Sequence, residues 1–318
     1  MYICLMYFER VIGHQQIKAQ LQNLIQGGRI PHAQLFHGPT GTGTLPMAIA
    51  YAQAILCSVY EPGSLEEANC AKRVLEGNHP DLHFAYPVNR RTGMSRAAVS
   101  TDYLSEWREF IQENPYGSVY QWLQHIGIGN RQGNTGVAEA REINRALSLK
   151  SFEGGFKVLI LWMPELMHTA CANALLKLIE EPPAKSVIIL ASEDAQQVLG
   201  TIRSRCQLIP LPPLNENILS RALVERHAMD AQQASLISKQ ARGSYTKALE
   251  ILSEDQIDNK FEEWFIVWVR TAFKARRDKA ALLDLLDWSD EIAALGREEQ
   301  KLFINFCSEM FRQAFLLN

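Results

Sequence analysis

KVLILWMPELMHTACANALLKLIEEPPAKSVIIL, residues 157–190, sets two apolar runs on either side of a helical stretch. Residues 158–161 and 187–190 are rich in β-branched side chains and of strand length, and each leads into polar residues and a helix-like segment. Both therefore read as buried strands of a parallel sheet. In a nucleotide-hydrolysing enzyme of this layout the first strand ends in acidic residues that hold Mg²⁺ and polarise water. Here it ends in Trp162 and Met163. The stretch has the frame of an ATPase core without its chemistry.

Upstream, Leu35-Phe36-His37 reads as a short strand, and Gly38-Pro39-Thr40-Gly41-Thr42-Gly43 then opens a helix near Leu45. That placement matches a phosphate-binding loop. A working loop of this kind needs a lysine for the β- and γ-phosphates and a Ser or Thr for Mg²⁺. The sequence supplies Thr44 and Leu45 instead. Backbone N–H groups around Gly38, Gly41, Gly43 and Thr44, with the helix N-terminus behind them, could still cradle a phosphate. The expectation is weak or no nucleotide binding and no hydrolysis; a tight strand-to-helix turn explains the same glycines. Ser192 stands where a polar sensor would end the second strand, and equally reads as a plain strand-end residue.

NALLKLIEEPP at residues 173–183, followed by Thr201-Ile202-Arg203-Ser204-Arg205-Cys206, resembles the AAA+ subunits of bacterial clamp loaders. Among these it is most similar to the δ′ subunits of DNA polymerase III in the form found in Bacteroidetes, to which WREF at 107–110, ENPY at 113–116 and WMPE at 162–165 also point. The resemblance covers almost the whole chain and weakens toward the C-terminus.

The resemblance implies an α/β AAA+ core with a parallel sheet and a P-loop-type frame, a small helical lid and an all-α collar domain. It makes Arg205, between Ser204 and Cys206, an arginine finger projected into the ATP site of the next subunit. A guanidinium suits that role because its planar, permanently charged fork pairs with phosphate oxygens. The alternative is that Arg205 is a surface cation and that Arg203 serves as well. Where the lid of the family carries a γ-phosphate-sensing arginine, Gly243-Ser244-Tyr245-Thr246-Lys247-Ala248-Leu249 places Thr246. Val11-Ile12-Gly13-His14 resembles the segment lining the adenine pocket. Loss of the loop lysine, the strand-end acids and the sensing arginine together removes what phosphoryl transfer depends on. The family also carries a zinc module of four cysteines ahead of an HPD turn. This chain keeps His79-Pro80-Asp81 but only Cys57 and Cys70 before it, and although His79 and His83 could complete a set, no zinc is expected.

Composition agrees with an assembly subunit. At 318 residues and 47% hydrophobic, the chain has room for two or three domains with cores of their own. No segment approaches the roughly 20 consecutive apolar residues that span a bilayer, and the N-terminus lacks the pattern of a signal peptide, so a cytoplasmic location is expected. The six cysteines are scattered rather than densely spaced. A net charge of -3 argues against a chain that grips DNA strongly by itself. Residues 1–212 alternate strands and helices as a core; Leu211-Pro212-Pro213-Leu214 breaks the rhythm; 213–255 fit three short lid helices; and 256–318 carry aromatic stripes at helical spacing, from Phe261 to Phe273 and from Phe303 to Ala314. Segments 86–96 and 127–136, with Arg90, Arg91, Arg96 and Arg131, read as solvated loops, and Lys274, Arg276, Arg277 and Lys279 as an exposed helix end.

The expected function is a non-hydrolysing stator: not an enzyme on its own, with ATP and Mg²⁺ bound by neighbouring subunits and no cofactor of its own. Its implied partners are the τ/γ motor subunits and the δ subunit, with the sliding clamp and primer-template DNA reached through the complex. The rivals are a divergent AAA+ ATPase of the τ/γ motor type and an inactive AAA+ adaptor outside replication.

Overall fold

The computed structural model describes residues 7–128, 131–252, 257–275, 278 and 280–316. Cys4, Arg276, Arg277 and Lys279, and residues 129 and 130 of the second loop, lie outside the described residues. The chain divides into two compact units, residues 1–127 with 133–249 and residues 128–132 with 250–318.

In the first unit α1 (Gln15–Gln26) precedes β1 (Ala33–His37), which runs through the glycine loop into α2 (Thr44–Cys57). Every residue of α2 is buried, as expected of a helix with apolar residues all round. After it come α3 (Leu65–Leu75), β2 (Leu82–Ala85), α4 (Leu104–Glu113), α5 (Val119–His125), α6 (Val137–Ser148) and β3 (Lys157–Trp162). Next are α7 (Thr169–Glu180), β4 (Ser186–Ser192), the single turn α8 (Gly200–Arg203) and β5 (Gln207–Pro210). The three helices expected after the Pro-Pro break are present as α9 (Glu216–His227), α10 (Ala231–Ala241) and α11 (Tyr245–Leu252). Asn215 and Asp230 cap the first two of these by accepting N–H groups of their opening turns.

The five strands form one parallel sheet in the order β2-β3-β4-β1-β5. Both strands read from the opening stretch are entirely buried, which is why they show continuous apolar runs and not alternation. Register sets Leu159 against Ile188 and Leu161 against Leu190. These four pack with Leu35, Leu175 and Ile179 in one core cluster, each worth about 1.5–3 kcal/mol of burial. Because β1 lies between the later strands β4 and β5, the order of the strands reverses beside it, and the crevice at its C-terminal end is where open α/β sheets place ligands. His37 there pairs with Ser192.

The arginine-bearing loop at 86–96 is held by local acids. Arg91 pairs with Glu106 and sits over the Tyr103 ring, and Arg96 pairs with both oxygens of Asp102. In the second unit α12 (Ile257–Ala275), α13 (Ala280–Ala293) and α14 (Arg297–Leu316) surround a small core of Phe261, Trp264, Phe303 and Cys307. The stripes divide there: Phe261 and Phe303 are buried, whereas Phe273 and Phe311 are exposed. Among the described residues, no helix is long and apolar enough to cross a membrane.

Candidate nucleotide-site remnant and edge arginine

The glycine loop sits at the C-terminal end of β1 in a conformation that only small residues allow. Gly41 and Gly43 hold φ of +81° and +98°, and a Cβ on Gly38 would fall 2.0 Å from the Leu211 carbonyl oxygen. Gly43 is the N-cap of α2 and Thr44 its first residue, so the strand–loop–helix geometry expected of residues 38–44 is present. Thr44 and Leu45 are both buried, 8% and 3% exposed.

Side chains of the same unit close this loop. Tyr116, 4% exposed, lays its ring edge 3.0 Å from where a Gly43 Cβ would stand. Its hydroxyl accepts the Ile12 N–H at 2.8 Å, inside the segment that resembles an adenine-pocket lining. From the lid, Tyr245 meets the Tyr116 ring edge to face at 4.8 Å, and its N–H donates to the Gly41 carbonyl at 3.0 Å. Thr246, at the place of the sensing arginine, is buried, and its hydroxyl donates to the Tyr116 carbonyl at 2.5 Å. His14 meets the Thr42 carbonyl at 2.8 Å, and burial lowers its pKa. ENPY had served as a mark of resemblance; that its tyrosine closes the loop depends on a contact 104 residues away, which no local pattern reports.

At the end of β3 the place of the missing acids is apolar. The Trp162 ring lies 5.3 Å from Trp107, which stacks on Tyr86 at 4.0 Å and meets Trp122 edge to face. Two carboxyls unremarked in the sequence do reach this end of the sheet. Glu165 accepts the Glu193 N–H at 2.8 Å, and Glu193 hydrogen-bonds Thr40 of the glycine loop. Burial raises both pKa values, that of Glu193 to about 7. Ser192 accepts the Asp194 N–H, a strand-end turn.

Arg205 lies just ahead of β5, the edge strand of the sheet on that side. Its side chain is 34% exposed, bonded through Nε to Glu180 at 3.2 Å and through Nη1 to the Thr201 carbonyl. Ser204 is exposed, and its hydroxyl donates to Thr201. Cys206 packs against the core cluster, and burial pushes its thiol up to about 12. Arg203 is turned back onto the Ala195 carbonyl and Gln196.

Cys57 and Cys70 are free and buried, with Sγ atoms 3.0 Å apart. The ligand atoms of Cys70, His79 and Glu153 lie within 4.8 Å of one another, a grouping that residue spacing did not reveal because Glu153 comes from 74 residues beyond His79. His83, the other candidate for a metal set, is not in that group.

A parallel sheet in this order, a glycine loop opening α2 and a three-helix lid define the AAA+ class. Residues 13–215 match the profile of the family described as "DNA polymerase III, delta subunit", well over half of the chain, and the chain belongs to that family. The similarity is of the δ′ type. The DNA polymerase III subunit delta' of Bacillus subtilis is 27% identical over 74% of this chain and 58% of that protein, and that of Haemophilus influenzae is 25% identical over 84% and 68%. The DNA polymerase III subunit gamma/tau of Mycobacterium tuberculosis is 26% identical over 90% of this chain and 43% of its own length. The chain thus spans a little over half of the first relative and less than half of the third.

Proposed function

We propose that the chain is a non-hydrolysing δ′ stator of the clamp loader, acting in the cytoplasm during loading of the sliding clamp onto primed DNA. One observation carries the reading: the glycine loop is covered at Gly43 by the Tyr116 ring and bonded at Gly41 to Tyr245 of the lid, with Thr246 bonded in turn to Tyr116, where a nucleotide would otherwise join core and lid. The τ/γ subunits, named among the relatives, and the δ subunit are its proposed partners, with the clamp and DNA reached through the assembly. Residues 1–212, 213–255 and 256–318 are proposed to act as core, lid and collar. Arg205 supplies its guanidinium in trans. Support comes from its place at a sheet edge, its exposure and a pairing with Glu180, itself more than half exposed, that a stronger phosphate partner can displace.

Reconstitution with its own τ/γ and δ subunits tests this. The isolated chain should neither bind ATP saturably nor turn it over. Arg205→Ala should slow DNA- and clamp-stimulated turnover of the complete loader by roughly tenfold or more with assembly intact, less than the 10³ to 10⁵ of fingers serving a single site. A fully active Arg205→Ala loader would make Arg205 structural. The Glu165–Glu193 pair favours the rival ATPase reading, whose signature would be Mg²⁺-dependent turnover by the isolated chain that Glu193→Gln abolishes.

A further inference from the structure

Cys57 closes α2 and Cys70 lies in α3, so their sulfurs join two helices across an intervening loop. Both side chains are buried, 2% and 0% exposed, and the 3.0 Å between the sulfurs is a direct thiol–thiol hydrogen-bond contact. Around them is a polar cluster: His79 hydrogen-bonds Cys70 and meets Glu153 at 3.1 Å, and Glu153 is held in turn by Arg73 and Tyr60.

The zinc module that the resemblance places here does not fit these residues. His79 Nδ1 accepts the Asp81 N–H at 3.1 Å, so the ring proton sits on Nε2, facing Glu153. Neither ring nitrogen then offers a metal its lone pair. Cys57 and Cys70 alone leave a tetrahedral zinc two ligands short, and Glu153 is already held by Arg73 and Tyr60.

We infer that Cys57 and Cys70 are a reversible dithiol–disulfide pair, a modification site for small peroxides, with His79 positioning Cys70 for attack. The Cys70 sulfur attacks one peroxide oxygen: an S–O bond forms, the O–O bond breaks, and hydroxide leaves with the thiol proton as water. The Cys57 sulfur then attacks Cys70: the S–S bond forms, the S–O bond breaks, and the second hydroxide takes the Cys57 proton as water. Two electrons pass from the sulfurs to the peroxide, and a reducing thiol reverses the change. The assignment of roles follows from the hydrogen bonds: the Cys57 thiol donates to the Cys70 sulfur, and His79 also hydrogen-bonds Cys70, so Cys70 is the sulfur whose lone pair is oriented and Cys57 the partner that follows. The residues that follow Cys57, 58–63, are mostly exposed, so the pair lies beneath a surface turn.

The full chain, reduced and desalted, is treated with hydrogen peroxide, unfolded, alkylated and mapped as peptides. The expected result is loss of two alkylatable thiols of the six, recovered as one Cys57–Cys70 cross-linked peptide that dithiothreitol releases. In Cys57→Ser, Cys70 should stop at a dimedone-reactive sulfenic acid; the wild-type map stands even if that variant folds poorly. Two outcomes overturn the inference: both cysteines stay alkylatable while others oxidise, or the chain takes up one zinc per molecule that protects the pair.

Discussion

Tyr116 ties the glycine loop to two distant parts of the chain. Its ring fills the space over Gly43, its hydroxyl satisfies the Ile12 N–H, and its carbonyl receives the Thr246 hydroxyl. The last two are bonds that buried polar groups need, although the Thr42 hydroxyl within the loop is buried without a partner. Buried titratable groups elsewhere carry a measurable cost. Glu139 is 3% exposed in the first turn of α6, accepts the Ser100 N–H at 2.6 Å, and is pushed by burial to about 7. A carboxyl raised above its unfolded value near 4.3 favours folding fully below that value, and the benefit is lost as pH rises through the folded value. Glu139→Gln keeps the acceptor and removes the charge. Its stability relative to the wild type should therefore rise between pH 5 and pH 8 by on the order of 2–3 kcal/mol, read from urea midpoints at the two pH values. Equal pH dependence of the two proteins would show that Glu139 titrates normally.

Between elements, the junction of the glycine loop with α11 is tight. A Cβ on Gly41 would lie 2.3 Å from Ser244 Oγ and 2.7 Å from the Thr246 nitrogen, at a φ of +81°. Gly41→Ala should cost about 1–3 kcal/mol in backbone strain and, by pushing the lid off the loop, speed hydrogen exchange at the Tyr245 amide. Gly28→Ala is the control: φ is +63° but nothing lies within 4 Å, so strain is expected without faster exchange at Tyr245. Equal exchange in the two variants would remove the loop–lid coupling. The strands 157–162 and 186–192 and the three lid helices were legible in the sequence because burial on both faces and capping leave local marks. Helix α13 was not: its apolar residues do not form a single buried stripe, Leu282, Leu283 and Leu286 being exposed while Trp288 packs inward.

At the scale of the molecule the two units have separate cores and three tryptophans each, Trp107, Trp122 and Trp162 against Trp264, Trp268 and Trp288. Unfolding in urea followed by tryptophan fluorescence should show two phases, and replacing the last three tryptophans by phenylalanine should remove the signal of one. A single transition unchanged in shape by those substitutions would mean one cooperative unit. The amino-acid order alone determined the strand–loop–helix frame, the buried strands and the three helices after the Pro-Pro break, since each is written in residues adjacent along the chain. Only the tertiary structure decided which side chains meet around them. Tyr116 reaches Ile12, Thr246 reaches Tyr116, Glu193 reaches Glu165 and Glu153 reaches His79, all across long stretches of sequence. Such contacts arise from packing against partners that periodicity and spacing do not encode, so the frame of the site is readable from sequence and the side chains that close it are not.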